Sequence, residues 1–144
     1  MSSKETRENV VAFGHENIQA THPSTLMVTK EKHLSNTGDC IVAVAADKSL
    51  ADLNQTFKDK LKNPNAKLII IIEAGGLSEQ INASGSPRLI LTHPTEMVIR
   101  KSEYISERTL AIHADKSSSD LSRKLIEKLK SPNQKIIITL IVHG

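Results

Sequence analysis

The feature that most constrains this chain is that it repeats itself. Thr21-His22-Pro23 recurs as Thr92-His93-Pro94, 71 residues later, and Ala46-Asp47-Lys48-Ser49 recurs as Ala114-Asp115-Lys116-Ser117 at an offset of 68. Asp52-Leu53 returns as Asp120-Leu121, and Lys60-Leu61-Lys62-Asn63-Pro64-Asn65 returns as Lys128-Leu129-Lys130-Ser131-Pro132-Asn133, both again at 68. Four matched blocks, in one order and at nearly constant spacing, are the mark of an internal repeat. The three-residue change of offset places an insertion in the first copy between Lys30 and Asp39, around His33. The expected organisation is a flexible tail over residues 1–8, repeat one over 9–76 and repeat two over 77–144. Gly75-Gly76-Leu77-Ser78 at the junction is too short for an independent linker. A half of about 70 residues also buries too little surface to be comfortably stable alone. The two copies are therefore expected to share one core about a pseudo-twofold axis, as a single domain.

Each copy reads as strand, strand, strand, helix, strand. Aromatic residues are limited to Phe13, Phe57 and Tyr104, so the core must be built from Ile, Leu, Val and Ala. Leu50, Leu53, Phe57 and Leu61 recur at three and four, as do Leu121, Leu125 and Leu129, which predicts helices from about 49 to 62 and from about 117 to 130. Both open with a capping-box pattern, Ser49 with Asp52 and Ser117 with Asp120, and both end near a proline that excludes the residue before it from the helix. The closing strands, 67–73 and 135–142, are apolar on both faces and are expected to be central and covered on each side. The predicted fold is α+β and β-rich: two pseudo-symmetric halves packed as a sandwich, with helices covering the outer faces. A strand–helix–strand unit can supply a parallel pair through a right-handed crossover, and antiparallel pairing is equally open.

The candidate chemistry sits on the repeated histidines. Ile18, Ala20, His22, Ser24, Leu26 and Val28 share one parity, as do Leu89, Leu91, His93, Thr95, Met97 and Ile99. An extended run would point His22 and His93 to the apolar side, each two residues before a hydroxyl. On the functional reading they meet near the axis and, with His15, bind a divalent transition metal or a small anionic ligand, imidazole being a common metal ligand and acid–base group. On the structural reading they are inward histidines hydrogen-bonded to Ser24, Thr95 or main-chain carbonyls, holding the turn. No His-x-x-x-His or His-Glu-x-x-His spacing supports the metal directly.

The halves also differ: His15 matches Ser86, Cys40 matches Arg108, and Ala45 matches His113. Cys40 beside His15 or His22 would form a nucleophile-and-base pair, although its parity with Val42 and Val44 equally describes a buried thiol. The repeated Ala-Asp-Lys-Ser turn offers N–H groups and a lysine to a phosphate, but its own aspartates compete for those donors, so capping explains it as well. The chain has no phosphate-loop, dinucleotide-binding or nucleophile-elbow motif.

One cysteine excludes an internal disulfide and a multi-cysteine zinc site. The N-terminal residues are polar, and the longest wholly aliphatic run, Leu68 to Ile72, is far too short to span a bilayer, so a cytoplasmic protein without a membrane partner is expected. A formal net charge of +3, with basic residues scattered, gives a second reading as a nucleic-acid or ribonucleoprotein interaction module. The scarcity of aromatic stacking platforms counts against it.

Taken together, Gly14-His15-Glu16-Asn17, Thr21-His22-Pro23-Ser24-Thr25, Gly38-Asp39-Cys40-Ile41, Ala46-Asp47-Lys48, Pro87-Arg88-Leu89 and Thr92-His93-Pro94-Thr95 resemble an archaeal family of small conserved proteins of unknown function, domain of unknown function 371. The resemblance runs from about Val11 to the C-terminus. It implies an archaeal cytoplasmic protein and a β-rich, sandwich-like architecture with a few helices, and it brings no activity, ligand or catalytic residue.

Overall fold

The aliphatic closing segments form the two central strands of a sheet, as expected. In the computed structural model, which describes residues 5–35 and 38–143, the elements in order are β1 (Glu5–Phe13), β2 (Thr25–Thr29), β3 (Ile41–Ala43), α1 (Gln55–Leu61) and β4 (Lys67–Ala74), then β5 (Leu77–Ser84), β6 (Glu96–Arg100), β7 (Thr109–Ala111), α2 (Arg123–Leu129) and β8 (Lys135–His143). The first sheet has the order β1-β8-β4-β5 and is antiparallel throughout. The second has the order β3-β2-β6-β7; its central pair β2–β6 is antiparallel, and β3 and β7 pair parallel to β2 and β6. The fold is thus α+β and mostly strands, with two helices and two sheets. The parallel pairs do not arise across the helices, since β3 and β4 lie in different sheets. β1 begins at Glu5, inside the segment expected as a tail; residues 1–4, and residues 36–37 within the expected insertion, lie outside the described residues.

The core lies between the sheets. Val10, Leu68, Ile70, Ile138 and Leu140 of the first sheet and Leu26, Val28, Met97 and Ile99 of the second are buried in one cluster. The helices pack onto the inward side of the first sheet, α1 touching β1 and β8, and α2 touching β4 and β5. They wedge Phe57, Leu61, Leu125 and Leu129 into the core. The expectation that helices cover outer faces is therefore corrected. The outward residues of the first sheet stay open: Arg7, Asn9, Gln80 and Asn82 are exposed, and Ile69, Ile71 and Ile137 are only half-buried. The central strands are covered on one side, not on both.

Each expected helix of about 14 residues is broken in two. Residues Leu50–Asp52 make a single 3-10 turn, Leu53 is extended, and α1 starts only after Asn54, whose side chain accepts the Thr56 N–H at 2.9 Å. The Asp52 carboxylate accepts the Ser49 N–H at 2.9 Å, so the capping box closes on the short turn rather than on the α-helix. Glu8 of β1 then accepts the Asn54 N–H at 2.5 Å and pairs with Lys48 at 2.9 Å, diverting the backbone donor away from a continued helix. The second break has the same parts: Asp120 accepts the Ser117 N–H at 2.9 Å, and Glu79 accepts the Ser122 N–H at 2.8 Å and pairs with Lys116 at 3.2 Å. Upstream, Ala20 (φ 52°) and Leu91 (φ 59°) are left-handed, so the alternating runs are loops as far as the prolines, and β2 and β6 begin only at Thr25 and Glu96. Burial nonetheless alternates through these loops: Ile18, Ala20, Leu89 and Leu91 are buried, Gln19, Thr21, Ile90 and Thr92 are exposed, and His22 and His93 are half-buried.

Two glycines sit where β1 and β5 leave the sheet and the backbone passes close by. The N–H of Gly14 donates to the Gln134 carbonyl at 3.0 Å and that of Gly85 to the Ala66 carbonyl at 3.0 Å. A methyl group on Gly14 would overlap the carbonyl oxygens of Ser131 and Leu129, and one on Gly85 that of Leu61. At the hairpin, Gly76 (φ 81°) has open space around it and carries only the left-handed penalty. Gly14→Ala and Gly85→Ala should each cost about 3 kcal/mol by backbone overlap, against about 1–2 kcal/mol for Gly76→Ala. Urea unfolding of the three variants checks that ranking.

Candidate functional site

Both histidine-proline turns are capped by their own imidazole. The His22 Nδ1 accepts the N–H groups of Ser24 and Thr25, each at 3.1 Å, and the Thr25 hydroxyl lies 2.9 Å from it. The His93 Nδ1 accepts the N–H groups of Thr95 at 3.2 Å and Glu96 at 3.0 Å, with the Thr95 hydroxyl at 3.4 Å. Accepting at Nδ1 assigns the proton of the neutral ring to Nε2. Thr25, not Ser24, supplies the hydroxyl in the first turn. The turns then reach across the molecule. The His22 carbonyl accepts the Ser119 N–H at 3.1 Å, and the His93 carbonyl accepts the Ala51 N–H and the Ser49 hydroxyl, both at 3.1 Å.

The structure does not bring the candidate histidines together. The β2–β6 register sets Thr25 opposite Arg100 and Thr29 opposite Glu96, so His22 and His93 enter from opposite ends of the pair. The four-residue stagger between Thr25 and Glu96 alone spans about 13 Å. His15 lies elsewhere, its Nδ1 accepting the Asn17 N–H at 3.0 Å and its own N–H donating to Leu129 at the end of α2. His113 is exposed and left-handed (φ 53°), in a depression shared with Lys67, Asn82 and Asp115. Among the described residues, no three His, Cys, Asp or Glu side chains are grouped so as to hold a metal ion. The repeated lysines Lys48 and Lys116 are spent on Glu8 and Glu79, so the Ala-Asp-Lys-Ser turn acts as a cap.

What the fold does assemble is a cluster on the outer face of the second sheet. Cys40 precedes β3 and runs beside β2; its carbonyl accepts the Met27 N–H at 2.9 Å and the Ser118 hydroxyl at 2.7 Å. Burial pushes its thiol above the ordinary range, opposed by a hydrogen bond from Thr25, the residue that also borders the His22 ring. Opposite Thr25 stands Arg100, whose Nε donates to the Thr109 hydroxyl at 2.8 Å and whose Nη2 donates to the Ser106 hydroxyl at 3.1 Å. Its guanidinium lies 4.9 Å from the centre of the Tyr104 ring. Burial lowers its pKa, and the neighbouring Arg108 lowers it further, yet a guanidinium stays charged at any ordinary pH. Arg108 pairs with Glu96 at 2.8 Å, and that bond raises its pKa.

The cluster thus holds a neutral thiol beside two cations, one balanced by a carboxylate and one satisfied by hydroxyls and a ring. A half-buried guanidinium, Arg100, with an exposed one, Arg108, beside it suits an oxyanion. The arginines were missed in the histidine-centred reading. The signal for them lies in the differences between the two expected copies: Arg108 aligns with Cys40, and Arg100 with Thr29.

Two sheets enclosing two short helices, with a thiol and two neighbouring arginines on one sheet, define a small α+β protein. A family model described as a domain of unknown function (DUF371) matches residues 10–143, and the chain belongs to this family. It is 47% identical over 133 residues to the uncharacterized protein MJ0206 of the archaeon Methanocaldococcus jannaschii, a match covering 92% of this chain and 97% of that protein. No helix among the described residues is long and apolar enough to cross a membrane.

Two titrations check the local chemistry. Lys101, 2.8 Å from Asp120, and the Ser117 N–H hold the Asp120 carboxyl down at about 2, from 3.8. A depressed carboxylate contributes stability that is present above its unfolded pKa and is lost as pH falls through the folded one. Acid unfolding should therefore steepen between about pH 4 and pH 2, and Asp120→Asn should flatten that window. For Cys40, the pH–rate curve of iodoacetamide alkylation should have its midpoint above the value of about 8.5 for a free thiol; a midpoint below it contradicts the burial argument.

Proposed function

We propose that the protein binds a small oxyanion, of the carboxylate or phosphate type, on the outer face of the second sheet, at the seam between two copies of one repeated unit. The observation that carries this is Arg100: its partners are two hydroxyls and a ring, no carboxylate among the described residues pairs with it, and Arg108 and the Cys40 thiol stand beside it. Cys40, Thr25 and His22 come from the first unit, and Arg100, Arg108 and Glu96 from the second. His22 acts here as a turn cap that places Thr25, not as a metal ligand.

The repeat itself is supported by the sheet orders. Exchanging β1 with β5, β4 with β8, β2 with β6 and β3 with β7 turns each order into its own reverse. Paired details support the same pseudo-twofold arrangement, among them the carboxylates Glu8 and Glu79 at the helix breaks and the left-handed pairs Ala20 and Leu91, Ala45 and His113. One buried cluster that draws on both units supports a single domain.

Thermal unfolding against inorganic phosphate and a set of mono- and dicarboxylates, at matched ionic strength, tests the binding. A ligand held at 100 times its Kd stabilises by about 2.7 kcal/mol, several degrees for a chain of this size. Arg100→Gln should keep the fold and weaken binding by about tenfold or more, the scale of one charge-assisted hydrogen bond. Indifference of the wild-type protein to every anion, or an Arg100→Gln variant that responds as the wild type does, would contradict the proposal.

A further inference from the structure

The outward face of the first sheet is the largest feature that the anion site leaves unused. Its middle is aliphatic: Ile69 of β4 faces Ile141 of β8, and Ile71 and Ile137 flank them. Around these lie polar groups, Thr139 opposite Ile71 on one side and Gln80 on the other, while Arg7 of β1 stands beside Ile141 and is paired with Glu5 at 2.8 Å. Ile69, Ile71 and Ile137 are half-buried with no helix over them. Four strands about 4.8 Å apart and some 25 Å long give a footprint of roughly 500 Å². Two such faces pressed together bury about 1,000 Å² or more, where specific interfaces begin.

The charges at the ends of β4 say what covers the face. Lys67 and Glu73 both point outward from it, six residues and about 20 Å apart, and both are exposed. A twofold axis lying in the face, perpendicular to the strands, sets β4 antiparallel on β4 of a second copy. Lys67 of each copy then meets Glu73 of the other, Ile69 meets Ile71, and Thr139 of β8 meets Ile141. The other in-plane axis, along the strands, lays β4 over β8 and pairs neither charge. Aligned sheet-on-sheet packing at about 30° still leaves the Lys67–Glu73 pairs within reach of a lysine side chain.

We infer that the protein self-associates as a twofold dimer through the outward face of its first sheet, with Lys67 and Glu73 fixing the register. Because the anion site is on the other sheet, this dimer and anion binding can fail independently.

Sedimentation equilibrium over a range of protein concentrations, with circular dichroism as the fold control, tests it. The wild-type chain should populate a dimer, and Ile71→Glu should be monomeric and folded. Lys67→Glu and Glu73→Lys should each weaken the dimer roughly tenfold or more, since each reversal spoils two symmetry-related pairs, and the double reversal should return to near wild type. A wild-type chain monomeric at every concentration would overturn the inference, as would a dimer indifferent to Ile71→Glu. A double reversal no better than the single ones would overturn the register.

Discussion

Two main-chain carbonyls hold the molecule in register: those of His22 and His93. A histidine-proline turn lies at the entrance to β2 and another at the entrance to β6, and each is stiffened by an imidazole that accepts two backbone N–H groups of its own turn. The carbonyl so fixed points at the first turn of a 3-10 segment from the opposite half of the chain, at the Ser119 N–H in one case and the Ala51 N–H in the other. Such N–H groups have no partner within their own turn, and here the carbonyl of the other turn supplies it. The Ser49 and Ser118 side chains, both fully buried, add hydroxyl bonds to the His93 and Cys40 carbonyls. The same contacts therefore dock the second sheet on the helical segments and set Cys40 beside Thr25.

The carboxylates at the helix breaks do a complementary job. Glu8 is 8% exposed, a costly place for a charge, and it is tolerated because Lys48 and the Asn54 N–H both reach it. Glu79 is served likewise by Lys116 and the Ser122 N–H. Each carboxylate ties a strand of the first sheet to the loop that starts a helix, so the helices are held on the inward side and the outward face is left bare.

The strand order along the chain, the matched sequence blocks and the buried aliphatic core were legible in the sequence, whereas a run such as Leu68–Ile72 marks a central strand without telling whether one face or both are covered. Two other features were not legible. The helix break hides behind leucines that keep helical spacing through it; the diverting groups, Glu8 and Glu79, lie far away in sequence, and Asn54, whose side chain caps α1, is a local signal for the later start. The separation of His22 and His93 follows from the antiparallel β2–β6 pair, which sets their turns at opposite ends, and local alternation carries no sign of that pairing. The structural alternative for the histidines, a hydroxyl-assisted turn, describes what His22 and His93 do here. The arginine cluster depends on which loops fold over the second sheet, a long-range matter that local pattern cannot reach.

Native-state hydrogen exchange at the Ala51 and Ser119 amides tests the central claim most directly. If the reciprocal carbonyl contacts hold the two halves together, both amides exchange only through global unfolding, with the same opening free energy as the core amides of β4 and β8. Exchange of either amide through a local opening of much lower free energy, while β4 and β8 stay protected, would show that the histidine-proline turns merely rest on the 3-10 segments.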